Sequence, residues 1–135
     1  MASHFDASGV PNGFAPKDAF FGVQLAVTIL IAGLAVGLRA ILVRVPVGLI
    51  NLPNRDYWLA PQRRAETVER VASFTDVLFT GTLALMLAAF ELAVAANLRK
   101  PPVLDSNLIW LLLAAYLVFT FGGIVWLFRA FRLPK

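Results

Sequence analysis

The stretch Phe20-Phe-Gly-Val-Gln-Leu-Ala-Val-Thr-Ile-Leu-Ile-Ala-Gly-Leu-Ala-Val-Gly-Leu38 contains neither a charged residue nor a proline. Its apolar residues form one long run; they neither alternate nor recur at the spacing of a half-buried soluble helix. A helix over this run, continued to about Val43, rises 1.5 Å per residue and matches a hydrocarbon core of roughly 30 Å. Two further runs follow, from about Val77 to Leu98 with Glu91 as the only charge, and from Leu108 to Leu127 with none. Composition agrees. A chain of 135 residues would suit one soluble domain, but 59% hydrophobic and 15% charged residues do not. The expected class is all-α, an integral membrane protein with three transmembrane helices spanning about 20–43, 77–98 and 108–127.

The remainder divides simply. Residues 1–19 are a polar tail, and residues 20–135 form a single three-helix membrane domain. The segment 44–76 connects the first two spans, and a short turn at Pro101-Pro102 joins the last two. In the tail, Asp6, Ser8, Gly9, Pro11, Asn12 and Gly13 supply turn chemistry, so it reads as a folded or disordered loop. In the connector, Pro46, Gly48, Pro53 and Asn54 stop the first helix. Pro61 suits the first turn of a new helix, a juxtamembrane extension that runs into the second span, with Glu66 and Arg70 paired at i, i+4.

Arg39, Arg44, Arg55, Arg63, Arg64, Arg70, Arg129, Arg132 and Lys135 all fall on one side of such a bundle, against Lys17, Arg99 and Lys100 on the other. The bias places the N-terminus outside and the C-terminus in the cytoplasm, with 44–76 a cytoplasmic loop. The formal net charge of +4 therefore reflects topology rather than nucleic-acid binding. Tyr57, Trp58 and Trp110 read as interface anchors. With no cysteine, disulfides and thiolate chemistry are absent. No secretory signal pattern precedes Phe20, so the first span itself is expected to direct insertion.

At 100° per residue, Ser73, Thr80, Ala84, Ala88, Glu91 and Ala95 fall within about 80° on the second span and its lead-in, a stripe expected to face protein. On the first span, Gln24, Thr28, Ala35 and Arg39 share one face, and Ala26, Gly33, Gly37 and Ala40 lie nearly opposite, so two neighbours are expected. Thr28, Glu91 and Tyr116 each lie about 12 Å along their helices from the outer boundary. Glu91 has no cation at its depth. It is expected to be held protonated and to donate a hydrogen bond to Thr28 or Tyr116, either as a proton- or ligand-sensing group or as an internal pin. Arg39 and Asp76 share the inner boundary and are expected to pair. Gly33-Leu-Ala-Val-Gly37 has the spacing of a close-packing motif, serving either a second copy or another span.

The strings His4-Phe5-Asp6-Ala7-Ser8-Gly9-Val10-Pro11-Asn12-Gly13 and Asn51-Leu-Pro-Asn-Arg-Asp-Tyr-Trp-Leu-Ala-Pro-Gln-Arg-Arg64, separated by an apolar helix, resemble the uncharacterised bacterial membrane domain found at the N-terminus of SdpI-type immunity proteins. That resemblance implies a location in the bacterial cytoplasmic (inner) membrane and puts the His4 loop outside. In that family a membrane helix precedes the loop, whereas Met1 stands almost directly before it here. The chain thus reads as the family without its first helix, through a start assigned late or as a three-span variant.

No nucleophile, cofactor loop or metal site is visible, and the only histidine, His4, sits on the tail with Asp6, short of a ligand set. The expected function is a non-enzymatic membrane protein acting through helix association, as a subunit, immunity-type protector or signalling partner. The alternative is a component of an oligomeric transporter or channel with Glu91 in a polar pathway. Its expected partners are the lipid bilayer and a second copy or another membrane protein.

Overall fold

In the computed structural model, which describes residues 1–133, three helices are long and apolar enough to cross a membrane. They are α1 (Lys17–Leu42), α3 (Arg64–Asn97) and α4 (Ser106–Ala130), with a short α2 (Arg55–Trp58) and a 3-10 turn at Val47–Leu49 in the connector. The chain is mostly helical and is a small multi-pass membrane protein. Lys135, counted above among the cations of one end, lies outside the described residues.

Each helix covers its predicted run to within one residue, and local chemistry sets the ends. α1 starts after Pro16, whose fixed φ suits a helix entry and whose carbonyl accepts from Phe20 N at 3.0 Å. It stops at Leu42, ahead of Pro46. α3 has 34 residues, about 50 Å at helical rise and well beyond a core of roughly 30 Å. Its first turns therefore stand clear of hydrocarbon, as expected for a juxtamembrane extension. The predicted start at Pro61 shifts to Arg64, because Pro61 belongs to a preceding turn in which Ala60 O accepts from Arg63 N and Arg64 N at 2.9 and 3.0 Å. α4 is capped by Asp105, whose carboxylate accepts from Leu108 N at 3.2 Å.

The tail takes the folded of the two expected forms. It forms a hairpin in which β1 (Ala2–Phe5) pairs antiparallel with β2 (Pro11–Phe14), with two register irregularities. The Asp6 carboxylate accepts from Ser8 N and Val10 N, both at 2.9 Å, and closes the turn. Gly9 adopts φ 82°, and a Cβ there would collide with the Leu104 carbonyl. The turn can press onto the α3–α4 connection only as glycine, with Leu104 N donating to Gly9 O at 3.0 Å.

α3 packs against both α1 and α4 and forms the middle of the bundle. At the hairpin end, Phe20 of α1 stacks on Phe90 of α3 with centroids 5.3 Å apart. Between α3 and α4, the Phe119 ring occupies the space over Gly81, and Phe74 lies over Gly123. Gly81 and Gly123 thus each make room for an aromatic ring of the neighbouring helix.

The buried side chains lie at the two ends: Ala2 and Ala96 at one, Leu52, Leu59, Thr67, Val68, Ala72 and Phe131 at the other. Each end is a clamp. At the hairpin end, the Asn97 amide accepts from Ala2 N at 2.7 Å and donates to Ala2 O at 2.9 Å, so one side chain satisfies both backbone groups of a residue only 1% exposed. At the connector end, Asn54 Nδ2 and Trp58 Nε1 both donate to Phe131 O at 2.9 Å, and Thr67 Oγ1 donates to Trp58 O at 2.8 Å. Asn54 reaches this position with φ 54°, a left-handed conformation that asparagine tolerates.

Replacing Asn97 by alanine strands both polar groups of Ala2. The expected loss is about 1–3 kcal/mol, read as a lower Tm in detergent with earlier proteolysis of the hairpin. The exposed neighbour change Leu98→Ala should stay within about 0.5 kcal/mol. An unchanged Tm for Asn97→Ala would show that the hairpin docks without the amide.

Candidate functional site

Arg39, near the end of α1, reaches across to α3 and bonds two carboxylates. Its Nη1 donates to Asp76 Oδ2 and its Nη2 to Glu69 Oε1. The predicted Arg39–Asp76 pair is therefore made, and Glu69 joins it. That addition was legible: Glu69 precedes Asp76 by seven residues, two helical turns on one face. Ser73 Oγ adds a bond to Glu69 Oε1 at 3.4 Å. The side chains are 39–57% exposed, so the cluster contributes little to stability and chiefly fixes the register of α1 on α3. Beside it, Arg70 pairs with Glu66 at 2.7 Å, the expected i, i+4 contact.

The expected bond from Glu91 to Thr28 or Tyr116 is not formed. Tyr116 Oη bonds Thr82 Oγ1 at 2.7 Å, and Thr82 in turn donates to Leu78 O. Thr28 Oγ1 donates to Gln24 O at 2.9 Å, with the Gln24 amide 3.5 Å from the same hydroxyl. Azimuth explains the difference. Thr82 and Glu91 are nine residues apart, about 180° around the helix, so Tyr116 meets the side of α3 opposite Glu91. Depth alone does not bring groups together.

The α3 stripe exists, but it faces outward. Ser73, Thr80, Ala84, Glu91 and Ala95 are all exposed, interleaved with exposed Val77 and Leu87. α1 and α4 occupy the flanks of α3, leaving this face bare. Glu91 takes part in no ion pair among the described residues. By contrast the α1 stripe does face its neighbour: Arg39 grips α3, and Gln24 lines a groove of roughly 540 Å³ between α1 and α4, floored by α3 and roofed by His4 of the hairpin.

Gly33 and Gly37 remain open. A Cβ built on either meets nothing within 4 Å, whereas one on Gly81 or Gly123 meets an aromatic ring of the neighbouring helix. Among the described residues, no group of three or more metal-ligating side chains occurs. No family model matches the chain, and no curated protein or solved structure matches it either.

The Arg39 cluster makes a test of coupling. In reversible unfolding from mixed micelles, Asp76→Asn is expected to destabilise the native chain more strongly than it does in an Arg39→Gln background. Equal effects in both backgrounds would mean the pair contributes nothing to the α1–α3 seam.

Proposed function

We propose that this protein acts by helix association within the membrane, without catalysing a reaction, and that a second copy packs on the small-residue face of α1. The observation that carries this reading is the contrast among its glycines. On α3 and α4, Gly81 and Gly123 are filled by Phe119 and Phe74 of the same chain, and Gly122 alone is open. Gly22, Gly33 and Gly37 of α1 face open space, in line with Ala26. Small residues at this spacing let two backbones approach in lipid, where packing rather than the hydrophobic effect drives association. Since α3 already covers the opposite face of α1, the open one is left for another molecule.

The biological setting belongs to the same proposal. The two strings that resemble the SdpI-type membrane domain are the two that build the end clamps, around Asp6 and Gly9 at one end and Asn54, Trp58 and Arg64 at the other. An immunity-type, subunit or signalling role follows from that resemblance. A bacterial cytoplasmic membrane with the hairpin outside is favoured by Arg39, Arg44, Arg55, Arg63, Arg64, Arg70, Arg129 and Arg132 gathering at the connector end.

The absence of cysteine makes the test clean. Single cysteines replacing Ala26 and Ala40 are expected to form disulfide-linked dimers in native membranes, while one replacing lipid-facing Leu111 of α4 should not. Adding Gly33→Leu and Gly37→Leu should cut the Ala40→Cys dimer roughly tenfold, equivalent to about 1.4 kcal/mol of packing. Crosslinking at Ala26 and Ala40 no stronger than at Leu111 would refute self-association through this face.

A further inference from the structure

On the bare side of the bundle, α3 and α4 enclose a groove of roughly 610 Å³ that the association surface on α1 does not use. Its floor is Phe74, Leu78, Phe119 and Trp126, and its rim is Glu66, Glu69 and Arg70. We propose that this groove binds a phospholipid with an ethanolamine headgroup from the leaflet at the connector end.

Position selects an amphiphile. Glu66 and Glu69 stand on the first turns of α3, clear of hydrocarbon, and Leu78 lies within the apolar run. A ligand filling the groove must therefore be polar at one end and apolar along the rest. The floor suits an acyl chain: the Phe74 and Trp126 rings stack at 5.9 Å and 24°, with Phe74 resting against Gly123, where a Cβ would come within 3.0 Å. Together they form a largely apolar aromatic wall, with the indole N–H of Trp126 as its one polar group and Ser73 nearer the rim.

Charge selects the headgroup. The rim carries two carboxylates against one guanidinium, an excess of one negative charge. Arg70 answers Glu66 at 2.7 Å, while Arg39, the cation on Glu69, is shared with Asp76. Within the lining of the groove itself, an anionic phosphoglycerol headgroup would face one more carboxylate than guanidinium. An ethanolamine headgroup presents a terminal ammonium with three donors to Glu66 and Glu69, and its phosphate falls to Arg70. Choline has the same charge but no N–H to donate. The rim side chains are 38–72% exposed and open to such a ligand.

Trp126 reports on the site directly. In proteoliposomes where one lipid carries dibrominated chains, its quenching is the wild-type signal minus that of Trp126→Phe, which retains Trp58 and Trp110. The expected result is a preference of about threefold for brominated ethanolamine lipid over both phosphoglycerol and choline lipids, falling to about one in Glu66→Gln/Glu69→Gln. Both substitutions lie on exposed side chains, and the wild-type comparison needs neither. Equal quenching by all three lipids, a preference for phosphoglycerol, or choline binding as well as ethanolamine overturns the proposal. So does protection of Trp126 from every brominated lipid, the outcome expected if a protein helix fills the groove.

Discussion

A peptide group in hydrocarbon has no water to bond, so it must be satisfied by its own helix. The rest of this structure depends on that constraint. It fixes three continuous helices and expels every irregular segment, the hairpin, the connector and the Pro101-Pro102 turn, to the two ends. It also removes the usual reason for a buried core, since lipid chains are as apolar as Leu30 or Leu113. None of the windows that qualify these helices as spans is buried within the chain. Burial in the ordinary sense returns where water does, at Ala2, Ala96, Thr67 and Phe131.

The end clamps then do what a core would do elsewhere. Both act on the α3–α4 pair. Asn97 and Gly9 fix the turn between the two helices from the hairpin side, and Asn54 with Trp58 captures the carbonyl of Phe131, the residue that caps α4. That carbonyl would otherwise be one of the unpaired groups at a helix end. α4 is thereby held at both ends, while Phe119 and Phe74 set its distance from α3 in between. α1 is tied differently, by the Phe20–Phe90 stack and the Arg39 cluster. Its other face is therefore the one that can take a neighbour without disturbing the clamps.

How much of this was legible follows from what kind of information each feature carries. The spans were readable because length and absence of charge are one-dimensional, and the Arg39–Asp76 pair because both groups lie at the same helix boundary. The extension before the second span was readable from Pro61, Glu66 and Arg70, though the helix itself begins at Arg64. The hairpin was missed because its strands have four residues each and no alternation; only the turn chemistry of Asp6 and Gly9 showed. Asn97 gave no signal, since its role is to read the backbone of a residue 95 positions away. Equal depth does not bring Glu91 and Tyr116 together because their azimuths differ, and Thr82, on the far side of α3, holds Tyr116 instead.

The two sides of α3 left by α1 and α4 are not equivalent. One lies beneath the hairpin at one end and carries Met86, Ala89 and Ala93 in the groove, with Thr82 further along, already bonded to Tyr116. The other carries Ser73, Thr80, Ala84 and Glu91 in the open. Thr80 hides its hydroxyl on Asp76 O, a local solution available to any threonine in a helix. Glu91 forms no ion pair among the described residues and faces outward on a span, an arrangement that lipid penalises. Three helices arranged with one in the middle cannot turn that face inward without giving up either the Arg39 cluster or the Phe119–Gly81 contact. The two edges of the bundle therefore differ in kind: the α1 edge is lined by Gly22, Gly33 and Gly37, and the α3 edge by Ser73, Thr80 and Glu91.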